Sequence, residues 1–156
     1  MGSSSPEIRN RKAWHDYHIE DRLEAGILLS GTEVKSVRMG RVSIREAYVD
    51  FSSGEAIIIG LSIAQYENRG YSDHGVHRPR KLLLHRREIK QWSRKVLEKG
   101  YTVIPLRLYF NGRNYAKIEI GLARGKREYD KRKVIAEREA KRDVQRAKKE
   151  AQSWNR

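Results

Sequence analysis

Cysteine is absent from the 156 residues. The chain therefore has no disulfide framework, no thiolate nucleophile and no cysteine-ligated zinc, and nothing in it favours an oxidising compartment. Long apolar runs are missing too. The longest, such as Ile57-Ile58-Ile59 and Leu82-Leu83-Leu84, fall far short of the roughly 20 residues of a membrane-spanning helix. The start, Met1-Gly2-Ser3-Ser4-Ser5-Pro6, has no basic region followed by an apolar core and does not read as a secretory signal. No Gly-x-Ser-x-Gly elbow, phosphate-cradling Walker loop or dinucleotide Gly-x-Gly-x-x-Gly occurs. The expectation is a cytoplasmic protein that is not an enzyme, uses no cofactor or metal and does not enter a membrane.

Positive charge is abundant. Lysine and arginine number 34 against 20 acids, a net charge of +14, which points to a polyanionic partner such as nucleic acid. The residues after Ala123 carry 13 of the cations and only 6 of the acids, so the C-terminus is a basic tail. Three segments are expected: 1–9, an N-terminal extension that is partly non-native; 10–124, a folded domain; and 125–156, the tail.

Within the domain, residues 16–29 read as extended, with a bend at Ala25-Gly26. Ser30 caps a short helix that Gly40 stops. Residues 47–51 and 55–63 read as a hairpin joined by Ser52-Ser53-Gly54, and 65–80 as a surface loop. The spacing of Ile89, Trp92 and Val96 predicts a helix over 86–99, ended by Gly100. Residues 103–110 and 115–122 form a second hairpin, with Asn111-Gly112 suited to a tight turn. About six strands and two short helices in this order predict a mainly β, OB-fold-like antiparallel barrel. In the tail, Ala136, Ala140, Val144, Ala147, Ala151 and Trp154 have helical spacing. That thin stripe buries too little to order a helix alone, so the tail is expected to be disordered in isolation and helical when docked.

The pairs His15/His18 and His74/His77 lack a third ligand at helical spacing and read as loop or RNA-contact histidines. Glu20, Asp21 and Glu24 cluster as a two-metal nuclease requires, but on one strand the first two face opposite sides. A better lead is the mixture of cations and rings. Arg9, Arg11, Lys12, Trp14, His15 and Tyr17 open the domain, and Arg78, Arg80, Lys81, Arg86 and Arg87 surround a leucine run. Cations take phosphates and rings stack on bases, which predicts RNA binding. Trp92 and Tyr109 read instead as core. A general single-strand or ribosomal RNA binder and a metal-dependent nuclease are the rival readings.

Several strings follow one another in order. Asn10-Arg11-Lys12-Ala13, His15-Asp16-Tyr17, Glu24-Ala25-Gly26 and Gly31-Thr32-Glu33-Val34-Lys35-Ser36 come first. Arg80-Lys81-Leu82-Leu83-Leu84-His85 and Arg87-Glu88-Ile89 follow, then Pro105-Leu106, Leu108-Tyr109-Phe110, Gly125-Lys126-Arg127 and Asp130-Lys131-Arg132. From about residue 10 to 149 the chain resembles the small protein B (SmpB) family, the bacterial SsrA-binding proteins of trans-translation. That resemblance implies an OB-type barrel that binds the tRNA-like end of transfer-messenger RNA (tmRNA, or SsrA RNA) at its elbow and D-loop. It implies delivery of that RNA to stalled 70S ribosomes, with the tail helical in the empty mRNA channel near the decoding centre. Elongation factor Tu is expected as a further partner through the RNA.

The resemblance carries RNA contacts to Asn10, Glu24 and Leu83, and charge adds Arg11, Lys12, Lys35 and Lys81 beside them. A carboxylate such as Glu24 can accept hydrogen bonds from base or ribose donors and so supply specificity that cations do not. Leu83 is either barrel core or an exposed platform for a nucleotide, with the platform preferred. The ribosome-binding tail motif falls on Gly125, Lys126, Asp130, Lys131 and Arg132. Arg127 stands where lysine is common and Tyr129 where histidine also occurs, and either ring can stack on a base.

Overall fold

Strands form here where alternating apolar residues can fill one face of a sheet. The computed structural model describes residues 6–65, 75–126, 138–139 and 141–149, and it divides into residues 1–124 and 125–156. The elements are β1 (Ile8–Arg9), α1 (Arg11–Asp16), β2 (Tyr17–Ile27), α2 (Gly31–Arg38), β3 (Val42–Ser43), β4 (Tyr48–Asp50), β5 (Ala56–Ile59), β6 (Ser62–Ile63), β7 (Arg80–Leu83), α3 (Arg86–Lys99), β8 (Thr102–Phe110) and β9 (Ala116–Gly125). Seven strands make one sheet in the order β1-β8-β9-β2-β7-β5-β4, while β3 pairs with β6. Strand β4 packs back against β8, so the sheet curls into the partly closed, OB-like antiparallel barrel that the sequence pattern predicts. In the second unit, residues 138–139 and 141–149 are helical and exposed. Of the tail stripe, Val144 and Ala147 lie in that helix, whereas Ala136, Ala140, Ala151 and Trp154 lie outside the described residues.

The core fills the barrel with Ile27, Ile58, Leu82, Val103, Leu108 and Ile118, closed by Val37 of α2 and Trp92 of α3. Both helices carry the expected end signals. Ser30 and Glu33 form a reciprocal capping box on α2, and Gly100 ends α3 in the left-handed conformation at φ +66°. A second, smaller apolar cluster of Ala13, Ile104, Leu106 and Ala123 lies beneath α1.

Several local expectations need correction. Residues 11–16 are helical: the Asn10 side chain accepts from the Ala13 amide and caps α1. The strand expected over 55–63 breaks at Gly60, whose φ is +82° and where a Cβ would sit 2.7 Å from the Glu46 carbonyl oxygen. The chain therefore leaves the main sheet there and β6 joins β3. The hairpin between β8 and β9 is connected by residues 111–115, with the positive φ at Asn114. The Asn111 carboxamide oxygen accepts from the Arg113 and Tyr115 amides at 3.0 Å each, which stabilises this longer loop. The strand β8 shifts register between Pro105 and Arg107. Such a bulge suits a proline, which has no amide hydrogen to give a ladder. The bulge lets both Leu106 and Arg107 leave the barrel interior, Leu106 under α1 and Arg107 onto the open face of the sheet.

The sequence pattern puts residue 80 at the end of a surface loop and among RNA-facing cations, yet Arg80 starts β7 and is buried. Its Nη1 donates to the Leu61 and Arg78 carbonyls, both at 2.9 Å, and its Nη2 to those of Gly75 and Val76 at 3.1 and 3.2 Å. Its Nε donates to Glu33, which also accepts from Arg78 and from the Ser30 amide. Residues 66–74 of the expected loop lie outside the described residues.

Burial alone would raise the Glu33 carboxyl, but hydrogen bonds from Arg78, the Ser30 amide and Arg80 outweigh it and hold the group below its ordinary value. The folded carboxyl is more acidic than the unfolded one. Its contribution to stability is therefore fully present above the unfolded pKa and is lost as pH falls through the lower folded value. Glu33→Gln removes that pH dependence and leaves Arg80 buried without its counter-charge, at an expected cost of about 3–5 kcal/mol. Urea unfolding at neutral and acidic pH measures both effects. A variant as stable as the parent at neutral pH would contradict the assignment.

Candidate nucleic-acid interface

Residues alternate across a strand, so a sheet with a filled interior presents its other residues outward. On this open face Arg107 pairs across the ladder with Glu119, Tyr109 with Lys117, Ile57 with Lys81, and Gly26 with Leu83. Leu83 is 50 % exposed, whereas its neighbour Leu82 is 1 % exposed and points inward. Leu83 is therefore exposed on this face and is not barrel core. A Cβ at Gly26 would meet the Leu83 side chain at 3.3 Å, so the missing side chain there lets Leu83 lie flat across β2.

Glu24 is exposed one step along the same face, and the Tyr109 hydroxyl donates to one of its carboxylate oxygens. Tyr109 is thus not core, as the sequence suggested, but half-buried on the open face, where it orients Glu24. Burial and the bond to Glu24 push its phenol well above the usual range, so it stays a donor. The Arg107 guanidinium lies 4.2 Å from the Tyr109 ring centre and is itself held by Glu7 and Glu119 at 3.1 and 3.4 Å. Glu24, Lys81, Leu83, Arg86 and Lys117 line one depression. The related acid Glu20 accepts from the Tyr101 hydroxyl. Among the described residues no group of three His, Cys, Asp or Glu side chains is placed to hold a metal ion, and no helix is long and apolar enough to cross a membrane.

The other expected contacts lie around α1 and α2. Asn10 is 3 % exposed. Its Nδ2 donates to the Pro105 carbonyl at 2.9 Å, its Oδ1 accepts from Ala13 at 3.2 Å, and its amide donates to Leu106 at 2.8 Å. With those groups engaged, Asn10 holds α1 against β8 and places Arg11 and Lys12, both exposed, on the surface. Arg11 lines a second depression with Trp14, Arg22 and Arg107, where the Arg22 guanidinium lies 5.8 Å from the Trp14 ring centre. Lys35 is exposed on α2 and does not line either depression. Gly125 ends β9 and Lys126 is exposed, while Arg127, Tyr129, Asp130, Lys131 and Arg132 lie outside the described residues.

Lys81 meets Glu55 at 3.2 Å and Lys12 meets Glu46 at 3.3 Å. Exposed pairs of this kind are worth about 0–1 kcal/mol and are screened by salt, so a phosphate can replace the carboxylate at little cost. The face thus combines exchangeable cations, an apolar platform and an oriented carboxylate. Sequence reading missed Tyr109, Arg107 and Lys117. The Asn111 turn and the Pro105 bulge were the signals that would have put the first two on the open face.

The model of the SmpB protein family matches residues 7–150. The SsrA-binding protein of Roseiflexus sp. is 58 % identical over 142 residues, covering 90 % of this chain and 89 % of that one. The SsrA-binding protein of Carboxydothermus hydrogenoformans is 52 % identical over 138 residues, covering 88 % and 92 %. A solved chain from work on tmRNA-SmpB at the center of the bacterial ribosome is 48 % identical, with a TM-score of 0.66, and the match covers 77 % of this chain and 84 % of that one.

The adjacent leucines of β7 give a direct check of the face assignment. Leu82→Ala should cost about 2–5 kcal/mol in unfolding free energy, as core truncations do. Leu83→Ala, already half open to water, should cost under about 1 kcal/mol. Chemical denaturation of the two variants decides it, and equal losses would contradict the assignment.

Proposed function

The chain belongs to the SmpB protein family, and from that membership we propose that it binds the tRNA-like end of tmRNA and delivers it to stalled ribosomes in trans-translation. The observation that carries the RNA-facing part is the Glu24 carboxylate, held by Tyr109 beside the Leu83 platform and among exposed cations. Cations alone bind any polyanion. An oriented carboxylate accepts hydrogen bonds only from base or ribose donors, so it favours a folded surface that presents them at one place. Asn10 contributes by positioning Arg11 and Lys12, and Lys35 and Lys81 by charge. The protein supplies shape and charge in the cytoplasm, while RNA and ribosome perform the chemistry, and elongation factor Tu joins through the RNA.

The tail from Gly125 onward occupies the empty mRNA channel near the decoding centre. Its net positive charge suits a channel lined by RNA, and the helical stretch 141–149, exposed along its length, supports docking as a helix. Tyr129 and the cations Lys126, Arg127, Lys131 and Arg132 meet ribosomal RNA there, with Asp130 accepting hydrogen bonds.

Titration of tmRNA, ordinary tRNA and a single strand at several salt concentrations tests the first part. Affinity for tmRNA should exceed that for the single strand. The logarithmic salt slope should fall by about 0.7–0.9 in Lys81→Ala. Glu24→Ala should weaken binding without lowering that slope, and an unchanged affinity would remove the carboxylate from the interface. For the tail, proline within an α-helix costs about 3 kcal/mol. Val144→Pro should therefore abolish peptide tagging on stalled ribosomes while leaving tmRNA affinity intact, and full tagging activity would exclude a helical docked tail.

A further inference from the structure

Most cations of the open sheet face form an ion pair, whereas those of α3 form none among the described residues. Arg86, Arg87, Lys90, Arg94, Lys95 and Lys99 stand against two acids in 14 residues. Of the acids, Glu88 is occupied in capping the helix, accepting from the His85 amide at 2.9 Å. None of the six cations has an ion pair or hydrogen bond among the described residues, whereas Lys12, Arg80, Lys81 and Arg107 all meet a carboxylate. Two of the six open the helix, where the macrodipole favours acids over cations. A local rule is broken here without a compensating internal partner, as happens at functional sites.

Spacing organises part of this charge. Arg86, Lys90 and Arg94 recur every four residues, which places them on one face at about 6 Å intervals along the axis. That face lies beside the one formed by Ile89, Trp92 and Val96, which packs on the barrel. The three cations line a groove with Ile89, Ser93, Leu97, Glu98 and Gly54 of the turn between β4 and β5, so one carboxylate stands against three cations there. Gly54 has no side chain to obstruct it. Arg86 also lines the depression that holds Glu24, Lys81 and Leu83, so the groove continues the open face around the end of β7.

We propose that the Arg86, Lys90 and Arg94 stripe of α3 is a second, sequence-independent track that holds the phosphate backbone of the tmRNA as it runs on from the Leu83 depression. This rests on the reading of the sheet face as the tmRNA site. Regularly spaced cations without acid partners suit a regular polyanion. An acidic protein partner would demand aromatic or apolar anchors at the centre of its footprint, and the apolar side chains of the groove are Ile89, already packed against the barrel core, and Leu97, 82 % exposed. The sheet face selects the RNA, and the α3 track adds salt-dependent affinity without selectivity.

The test is the full-length triple variant Arg86→Gln/Lys90→Gln/Arg94→Gln, in which glutamine preserves helix propensity. Titrated with tmRNA, it should show a logarithmic salt slope smaller by about 2–3 and an affinity lower by roughly 30- to 100-fold at 0.15 M salt. Its preference for tmRNA over a single strand should come only from the sheet face and persist. The off-stripe variant Lys95→Gln/Lys99→Gln should leave the slope unchanged. Equal loss per charge in both variants would reduce the effect to net charge and overturn the track. An unchanged tmRNA slope with weakened ribosome association, or with lost capture of an acidic polypeptide, would overturn it too. Glu24→Ala and Leu83→Ala run alongside: if they weaken binding and the triple variant does not, only the track fails, and if neither does, the sheet-face reading fails as well.

Discussion

The Glu33 carboxylate is the point at which the parts of the barrel that carry the interface are tied together. It closes the capping box at the start of α2, accepts from Arg78, and neutralises Arg80 at the first residue of β7. Arg80 in turn gathers the carbonyls of Leu61, Gly75, Val76 and Arg78. A charge taken out of water persists only with its partner and with its remaining donors satisfied. The network therefore admits one arrangement of the segments before β7. That anchor also sets the phase of β7 itself: with Arg80 and Leu82 inward, Lys81 and Leu83 face out. The position of the platform is a consequence of a buried ion pair three residues away.

The open face also depends on how β8 handles its proline. Without the shift at Pro105 and Arg107, strict alternation would turn Arg107 inward and Leu108 outward. With it, Leu106 fills the small cluster under α1, Arg107 and Tyr109 face outward, and Leu108 returns to the core. Gly121 admits this arrangement, because a Cβ there would lie 2.9 Å from Leu106 and 3.1 Å from Ile19. The strand thereby serves a secondary apolar contact, a polar face and the main core within six residues. Asn10 fastens α1 to the same bulge through the Pro105 carbonyl, so the α1 cations and the Tyr109–Glu24 pair share one foundation.

Three physical kinds of cation stand out among the described residues. Arg80 is buried and structural. Lys12 and Lys81 are exposed and Arg107 is half-buried, and all three are matched with acids, which moderates nonspecific attraction to polyanions. Those of α3 form no ion pair among the described residues, and salt screens their attraction for anions. The same net charge of +14 thus comprises groups with different consequences, and composition does not distinguish them.

Patterning alone disclosed the β-rich barrel, the α3 helix with Trp92 inward and Gly100 at its end, the capped α2 helix and the basic tail, and it pointed toward a polyanionic partner. Those features depend on spacing over a few residues and on summed charge, which are properties of the chain before it folds. Ordered strings carried the family resemblance and with it Glu24 and Leu83. Tertiary structure decided the rest. Arg80 and Lys81 are both cations in one run, and only the strand's phase relative to Glu33 buries one and exposes the other. Tyr109 looks like core until the bulge at Pro105 resets the alternation of β8. Gly60 ends a strand of good β-formers because the Glu46 carbonyl approaches from the turn between β3 and β4. Each outcome turns on a contact between residues distant in sequence or on a one-residue change of register, and with a side-chain period of two such a change exchanges core for surface.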